Sequence, residues 1–260
     1  MGVRTLDADH WLQHDDRRTL DLLEKDLLTA RDRARMFVSR PGSDDAAAEV
    51  LTMVDANLRD NGLSVRAVGD HPLETAGLSV QEDLCLMEWI DEQWILTAGS
   101  VCFPTRWDLP SKLGCSLGEI HEPVPGYEAQ LGPQVERFFD RMTPGALAHR
   151  LNWSLVGSSA RRLEATARQA PAAFPSDPGS GLFVRIERQT LRRLVGRTAI
   201  VFGIRIHVWP LVDVAAELPS AVFAREMESM PIDVARYKNL DGMRSELAAW
   251  LRGWEGDPEG

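Results

Sequence analysis

Two apolar runs on either side of a short polar turn constrain the fold of this chain more than any other feature of its sequence. Residues 84–90 (LCLMEWI) and 94–103 (WILTAGSVCF) have the composition of β-strands, and Asp91, Glu92 and Gln93 separate them. A parallel pair of strands needs a connection of about a dozen residues or more, whereas a much shorter turn closes a hairpin. The sequence therefore predicts an antiparallel sheet that begins with these two strands.

Further strands are predicted after a helical crossover. The crossover contains a short helix near residues 111–117 and an amphipathic helix from about 131 to 142, which Pro144 and Gly145 end. The strands that follow are predicted at residues 150–156, 182–188 and 198–209. Two strands, helices and then more strands are compatible with a five-stranded antiparallel sheet that helices cover on one face.

Helical patterns flank this predicted sheet on both sides. Before it, leucines at helical spacing predict a helix from Asp15 to about Ser39, and a second helix follows the Pro41-Gly42 break. After it, helical signals return beyond Leu211. We therefore expect an α+β protein in three segments: an N-terminal helical extension at 1–80, a core at 81–211, and C-terminal helices with a charged tail at 212–260.

The charge balance excludes some classes of partner. The chain has 260 residues with 39 acidic and 29 basic side chains, a net charge of −10. Binding of nucleic acid requires clustered positive charge, so we expect no nucleic-acid partner. An acidic surface also disfavours anionic membranes, and no apolar run approaches the roughly 20 residues that a membrane-spanning helix needs.

The cysteines indicate a reducing compartment. Cys85, Cys102 and Cys115 are an odd number, no Cys-x-x-Cys pair is present, and the first residues do not form an apolar signal segment. A disulfide framework is therefore not expected, and the predicted location is the cytoplasm.

One histidine is predicted to lie in a loop that can hold an imidazole in a fixed orientation. His121 is followed by Pro123 and Pro125, and Gly126 ends the segment. Histidine is the commonest protein ligand for haem iron, and an axial ligand needs its second ring nitrogen fixed. The alternative is an ordinary surface histidine, so His121 is a candidate metal ligand on this pattern alone.

Polar side chains collect on one face of the last three predicted strands. Period-two alternation places the following residues on that face: Arg150, Asn152 and Ser154; Phe183, Arg185 and Glu187; Gly203, Arg205 and His207. The face is either solvated, as in many antiparallel sheets, or covered by a ligand. A glycine within a strand often marks a close approach by a ligand or by backbone, which favours the covered alternative.

Several separated segments of the chain resemble a known family. They are Gln81–Leu86, Gly99–Trp107, Lys112–Gly114, Arg137–Met142, Arg150–Leu155, Arg185–Leu194 and Ile204–Leu211. In this order and at these spacings they look like the haem-binding subunit of haem-dependent oxidative N-demethylases, enzymes of dimethylamine breakdown with a PAS-like haem domain. The resemblance covers residues 81–211.

This resemblance implies a fold, a cofactor and a site. The fold is a PAS-like five-stranded antiparallel sheet with helical crossovers and extensions, and the cofactor is haem b, with His121 as the proximal iron ligand. Arg150 and Glu187 fall in the distal substrate site as catalytic residues, and the Glu187 carboxylate is the candidate partner of a substrate ammonium group. The co-substrate is O2. Reducing equivalents come from a separate NAD(P)H-dependent reductase, since the chain has no Gly-x-Gly-x-x-Gly motif and no cysteine cluster.

The last predicted strand departs from the family pattern. It reads Ile204-Arg205-Ile206-His207, where we expect relatives to carry a threonine and then a tyrosine after the arginine. His207 is therefore a candidate cofactor-binding residue and an alternative haem ligand. Arg205 can serve a haem propionate, Glu187 or neither, and Glu187 can instead belong to a surface ion-pair ladder.

Two functions from different classes follow. The first is a haem monooxygenase subunit that oxidises a C–H bond next to an amine nitrogen, so that an N-methyl group leaves as formaldehyde, or that oxidises a related small nitrogenous molecule. The second is a non-catalytic haem-binding PAS-like sensor module. An absorbance spectrum and an assay for formaldehyde separate them.

Overall fold

A seven-stranded antiparallel sheet organises the described part of the chain. The computed structural model describes residues 2–122, 124, 127, 132–165, 174–238, 240 and 242–254. The strands are β1 (Arg4–Thr5), β2 (Phe37–Ser39), β3 (Asp83–Ile90), β4 (Gln93–Ser100), β5 (Leu147–Val156), β6 (Phe183–Arg193) and β7 (Ala199–Pro210). Their order across the sheet is β1-β5-β6-β7-β3-β4-β2.

The hairpin that the sequence predicts is confirmed as β3 and β4. Trp89 pairs with Trp94 and Ile90 with Gln93, so the turn consists of Asp91 and Glu92 alone. Both turn residues have positive φ, 48° and 62°. Two successive left-handed residues match the right-handed twist of the flanking strands, which explains why so short a turn closes this hairpin.

The expectation of five strands is wrong in number. The five predicted strands are all present and lie next to one another as β5-β6-β7-β3-β4, while β1 and β2 extend the two edges of the sheet. In β1, Arg4 pairs with His149 of β5, and in β2, Phe37 pairs with Ser100 of β4. Strands of two and three residues are too short for alternation to reveal them, because their place depends on the strand they pair with.

Ten α-helices accompany the sheet in the described residues. They are α1 (Arg18–Met36), α2 (Asp44–Asp60), α3 (Pro72–Ser79), α4 (Leu117–His121), α5 (Gly132–Arg141), α6 (Pro178–Gly181), α7 (Leu211–Glu217), α8 (Ser220–Ser229), α9 (Ile232–Tyr237) and α10 (Arg244–Arg252). None of these described helices is both long enough and apolar enough to cross a bilayer.

The helix expected near residues 111–117 is misplaced. Residues Pro110–Lys112 form a single 3₁₀ turn, and α4 begins only at Leu117. Leu113 adopts extended backbone and Gly114 has a φ of 83°, so these residues interrupt any helix between the two. The predicted helices at the N-terminus and in the crossover are confirmed as α1, α2 and α5.

Contacts divide the chain into two compact units. Unit 1 comprises Met1–Leu151, Arg162–Ala165 and Arg188–Ile206, and unit 2 comprises Asn152–Arg161, Thr166–Glu187 and His207–Gly260. The core of unit 1 includes Val50, Val54 and Leu58 of α2 with Leu84 and Leu86 of β3. The core of unit 2 includes Leu155, Leu211 and Leu247. The three sequence segments 1–80, 81–211 and 212–260 stay a prediction.

A buried ion pair joins α1 to β3 within unit 1. Lys25 and Asp83 are 0% and 1% exposed, and the Lys25 Nζ atom lies 3.5 Å from Asp83 Oδ1. The Asp83 carboxylate also accepts hydrogen bonds from the backbone N–H groups of Cys102 (2.9 Å) and Phe103 (2.8 Å). Lys25 in turn donates to the carbonyl oxygen of Gly77 (2.9 Å). Each of the two buried charges therefore has its counter-charge and its hydrogen-bond partners in contact with it, as buried ions require.

Removal of the Asp83 carboxylate should destabilise unit 1 strongly. Asp83→Ala leaves the Lys25 ammonium group buried without its counter-charge and two backbone N–H groups without their acceptor. We expect the free energy of unfolding to fall by about 3–5 kcal/mol. Urea denaturation measures it, with Asp60→Ala at an exposed position of α2 as the control. Equal unfolding midpoints for the two variants would contradict the role assigned to this pair.

Candidate functional site

A capping box fixes the short helix that carries His121. The hydroxyl of Ser116 accepts a hydrogen bond from the backbone N–H of Glu119, and the Glu119 carboxylate accepts one from the backbone N–H of Ser116 (2.7 Å). The backbone N–H and the hydroxyl of Ser116 both donate to the Glu119 carboxylate, and these two hydrogen bonds lower the pKa of that carboxyl group. Because the box satisfies donors at the helix N-terminus, the five residues Leu117–His121 hold a helical turn.

The His121 imidazole is held by a hydrogen bond to its own helix. Its Nδ1 atom lies 2.8 Å from the carbonyl oxygen of Leu117. A carbonyl oxygen can only accept, so the ring proton is on Nδ1 and Nε2 keeps its lone pair. The ring also stacks on Tyr127, with centroids 4.7 Å apart and planes 8° apart. The hydrogen bond at Nδ1 thereby fixes the direction of Nε2, and the prediction that His121 binds a metal assigns Nε2 as the atom that does so.

The surroundings of His121 favour the neutral imidazole. Burial is the largest cause that lowers its pKa, and the positive charges of Arg150 and Lys112 lower it further, against the opposing effect of the hydrogen bond to Leu117. The neutral form is the one that binds iron. Arg150, predicted as a catalytic residue, thus lies close enough to His121 for its charge to act on the imidazole.

The sequence placed His121 in a loop, and the structure corrects this. His121 is the last residue of α4. Pro123, Pro125 and Gly126, on which the loop prediction rested, lie outside the described residues. The better signal was the Ser-x-x-Glu pattern at Ser116 and Glu119, which predicts a helix start three residues before Glu119.

Arg205 is buried in a cluster of acidic side chains within unit 1. It is 1% exposed, and its guanidinium lies 2.8 Å from carboxylate oxygens of both Asp15 and Asp21. Gln81 donates to the same two carboxylates at 2.8 Å each. The sequence did not point to these two aspartates as partners of Arg205. Its role in binding a cofactor stays a prediction.

This cluster shows how the polar face is covered at β7. Residues Gly203, Ile204, Arg205 and Ile206 are all buried, so the alternation of burial expected for a solvated face is missing there. If Gly203 were replaced by a residue with a side chain, the new Cβ atom would lie 2.6 Å from the Thr190 hydroxyl oxygen. Gly203 therefore accommodates a neighbouring side chain, which is a close approach by protein.

Glu187 belongs to a chain of polar contacts in unit 2. Its half-buried carboxylate accepts a hydrogen bond from the Asn152 amide at 3.3 Å. The carbonyl oxygen of that amide accepts from Lys238 Nζ at 3.5 Å, and Lys238 also donates to the backbone carbonyl of Trp153. The sequence did not point to Lys238, because it lies in a helical segment about 50 residues from Glu187 with no motif of its own.

His207 also lies in unit 2, where it stacks on Trp209. The two rings are 5.1 Å apart and 2° from parallel, and Trp209 is 41% exposed. The alternation of β7 places both side chains on one face of the strand. The role of His207 as a cofactor-binding residue stays a prediction.

Comparison with models of known protein families identifies the family of this chain. Residues 55–248 of its 260 match the model of a family described as haem-dependent oxidative N-demethylase, alpha subunit-like. The chain belongs to this family. The match extends beyond residues 81–211, on which the resemblance in the sequence rested, towards both ends of the chain.

The residues of this N-demethylase-like chain fit a haem group. His121 offers a neutral, oriented imidazole, and one protein side chain is enough because the porphyrin supplies the other iron ligands in its plane. No group of three or more His, Cys, Asp or Glu within the described ranges could hold a bare metal ion. Burial raises the pKa of the Cys102 thiol to about 12, so at neutral pH it is protonated and a poor iron ligand.

The tautomer of His121 can be observed directly. In the full chain without added haem we expect Nδ1 to carry the proton and Nε2 to carry none at pH 7, with the ring still neutral below pH 6.5, the pKa of an unperturbed histidine. Since the unfolded chain then binds the additional proton, this residue lowers the free energy of unfolding as pH falls below that value. Nitrogen-15 NMR of labelled histidines, with His121→Gln for assignment, measures the position of the ring proton and the pH at which the ring becomes charged. A protonated Nε2 would contradict the geometry.

Proposed function

We propose that this chain is the haem-binding subunit of a monooxygenase that removes N-methyl groups from small amines. The observation that carries the proposal is the His121 side chain, neutral and fixed through Nδ1, in a chain that belongs to the haem-dependent oxidative N-demethylase family. The function requires oxidation of the C–H bond next to nitrogen. The resulting carbinolamine collapses to formaldehyde and the demethylated amine.

We further propose that the five inner strands form a PAS-like sheet. If only these five strands are numbered along the chain, β3 and β4 are the first and second, and β5, β6 and β7 are the third, fourth and fifth. Across the sheet their order β5-β6-β7-β3-β4 is then third, fourth, fifth, first and second. The helices α4 and α5 lie in the connection between the second and the third of these strands. This order supports a PAS-like core with β1 and β2 as additions to its edges.

The side chains of the chain have distinct tasks in this proposal. When bound, haem b supplies the activation of O2. His121 would hold the iron through Nε2, and burial, together with the positive charge of the nearby Arg150, lowers the pKa of its imidazole. Glu187 accepts the N–H of the substrate ammonium group and thereby orients its methyl group. Asn152 holds that carboxylate in place through its amide. Arg205 and His207 would contribute to binding of the cofactor.

The reaction needs electrons from outside the chain. Insertion of one oxygen atom from O2 into the C–H bond reduces the other atom to water, which consumes two electrons and two protons. We propose a separate NAD(P)H-dependent reductase as their source. The description of the family as alpha subunit-like supports the existence of a partner protein.

Replacement of the proposed iron ligand should abolish haem binding or change the environment of the bound haem. The purified chain loaded with haem b is expected to show a Soret band that shifts or is lost in His121→Ala and persists in His207→Ala. Absorbance titration with haem measures both. Loss of the band in His207→Ala alone would assign the other histidine, and equal bands in all three proteins would contradict both assignments.

Neutralisation of Glu187 should weaken the reaction with amines. With a surrogate reductase and dimethylamine, Glu187→Gln is expected to lower kcat/KM by roughly 10-fold to 100-fold, the cost of losing a hydrogen bond to a charged group. Glu217→Gln, at an exposed position of α7, is the matched control. Formaldehyde release is the measurement. A Soret band without formaldehyde from any methylamine would favour the haem-binding sensor instead.

A further inference from the structure

A cavity at the hairpin end of β3 and β4 combines aromatic walls with acidic side chains. It has a volume of about 380 Å³ and lies within unit 1. Trp89 and Trp94 form its aromatic walls, and Glu92, Glu136 and Asp140 supply its carboxylates. Among the described residues that line it, none is basic. The cavity therefore presents indole surface and three carboxylates to whatever enters it. The Arg193 guanidinium does not line the cavity but lies over the Trp94 ring, 5.4 Å from its centroid, so Trp89 supplies the accessible indole.

The two tryptophans are held in different ways. Trp94 is 4% exposed, and its Nε1–H donates a hydrogen bond to Asp140 Oδ1 at 2.9 Å. Trp89 is 41% exposed and meets the Trp94 ring edge-on, with centroids 5.4 Å apart and planes 64° apart. An exposed indole beside a fixed one leaves aromatic surface accessible from solvent. The hydrogen bond also fixes the Asp140 carboxylate at the wall of the cavity.

The carboxylates and the indole rings of the cavity together favour one class of ligand. Aromatic faces attract cations, and they favour a diffuse alkylammonium ion over a compact, strongly hydrated ion. The three carboxylates do not belong to any group of side chains in the described ranges that could hold a metal ion. A cavity of about 380 Å³ also exceeds what a bare ion needs. A methylated ammonium ion satisfies both the charge and the aromatic surface.

We propose that this cavity is a binding site for methylated ammonium cations. The methyl groups lie against the exposed indole of Trp89, and Glu92, Glu136 and Asp140 supply the negative potential. The proposal goes beyond the demethylation proposed above and does not depend on it. The cavity nevertheless adjoins the helix of His121, because Leu117 lines it and the carbonyl oxygen of Leu117 accepts the hydrogen bond from His121.

The test uses the full chain and a pair of ligands that differ only in charge. Choline chloride is titrated by calorimetry against its uncharged isostere 3,3-dimethylbutan-1-ol, with sodium chloride added to keep the ionic strength constant. We expect choline to bind with a stoichiometry of one and the alcohol to bind at least about fivefold more weakly, because the attraction between a cation and an indole is lost. Equal affinities for the two ligands would overturn the proposal, as would tighter binding of calcium chloride.

Variants locate the binding in this cavity. Trp89→Leu and Glu136→Gln, both at solvent-accessible positions, should each weaken choline binding by about threefold to fivefold. Trp209→Leu, which removes an indole of the same 41% exposure from unit 2, and Glu217→Gln are the matched controls. Circular dichroism checks that each variant is folded. Unchanged choline affinity in both cavity variants would overturn the proposal. The titration requires neither haem nor turnover, so a failure of the demethylase assignment leaves this result interpretable.

Discussion

The ionic network buried between α1 and the sheet is the constraint on which unit 1 depends. Lys25 with Asp83, and Arg205 with Asp15 and Asp21, bring charges from the first 25 residues into contact with β3 and β7. Lys25, Asp83, Asp21 and Arg205 are at most 1% exposed. Because buried charges need partners, the N-terminal segment must dock in one position. This docking covers the polar face of β7 around Arg205, which would otherwise be exposed to solvent.

The proposed site uses rigid local structure in the same way. His121 is positioned by a helix of five residues, which a capping box begins and which contributes its own carbonyl oxygen to hold the imidazole. Glu187 is positioned by a side-chain amide from a neighbouring strand. In His121 the hydrogen bond of Nδ1 fixes the direction of Nε2, and in Glu187 the Asn152 amide fixes the direction of the carboxylate.

Much of the fold could be predicted from local sequence patterns. The remaining features could not, because they depend on contacts between distant residues. The hairpin of β3 and β4 was predictable because strand composition and a short polar turn are local properties, and the leucines of α1 repeat over many residues. In contrast, β1 and β2 form only by pairing with distant strands, and the partners of Arg205 are 190 positions away in the case of Asp15. His121 could be chosen from the sequence as a candidate ligand. Its helix was not predicted, although the capping-box pattern of Ser116 and Glu119 marks the start of that helix.

A crystal structure of the chain loaded with haem b would show directly whether His121 is the iron ligand. We expect His121 Nε2 to coordinate the iron, while Nδ1 still donates its hydrogen bond to the carbonyl oxygen of Leu117. Iron coordinated by His207 or by any other side chain, or a haem group that leaves His121 without contact, would contradict it.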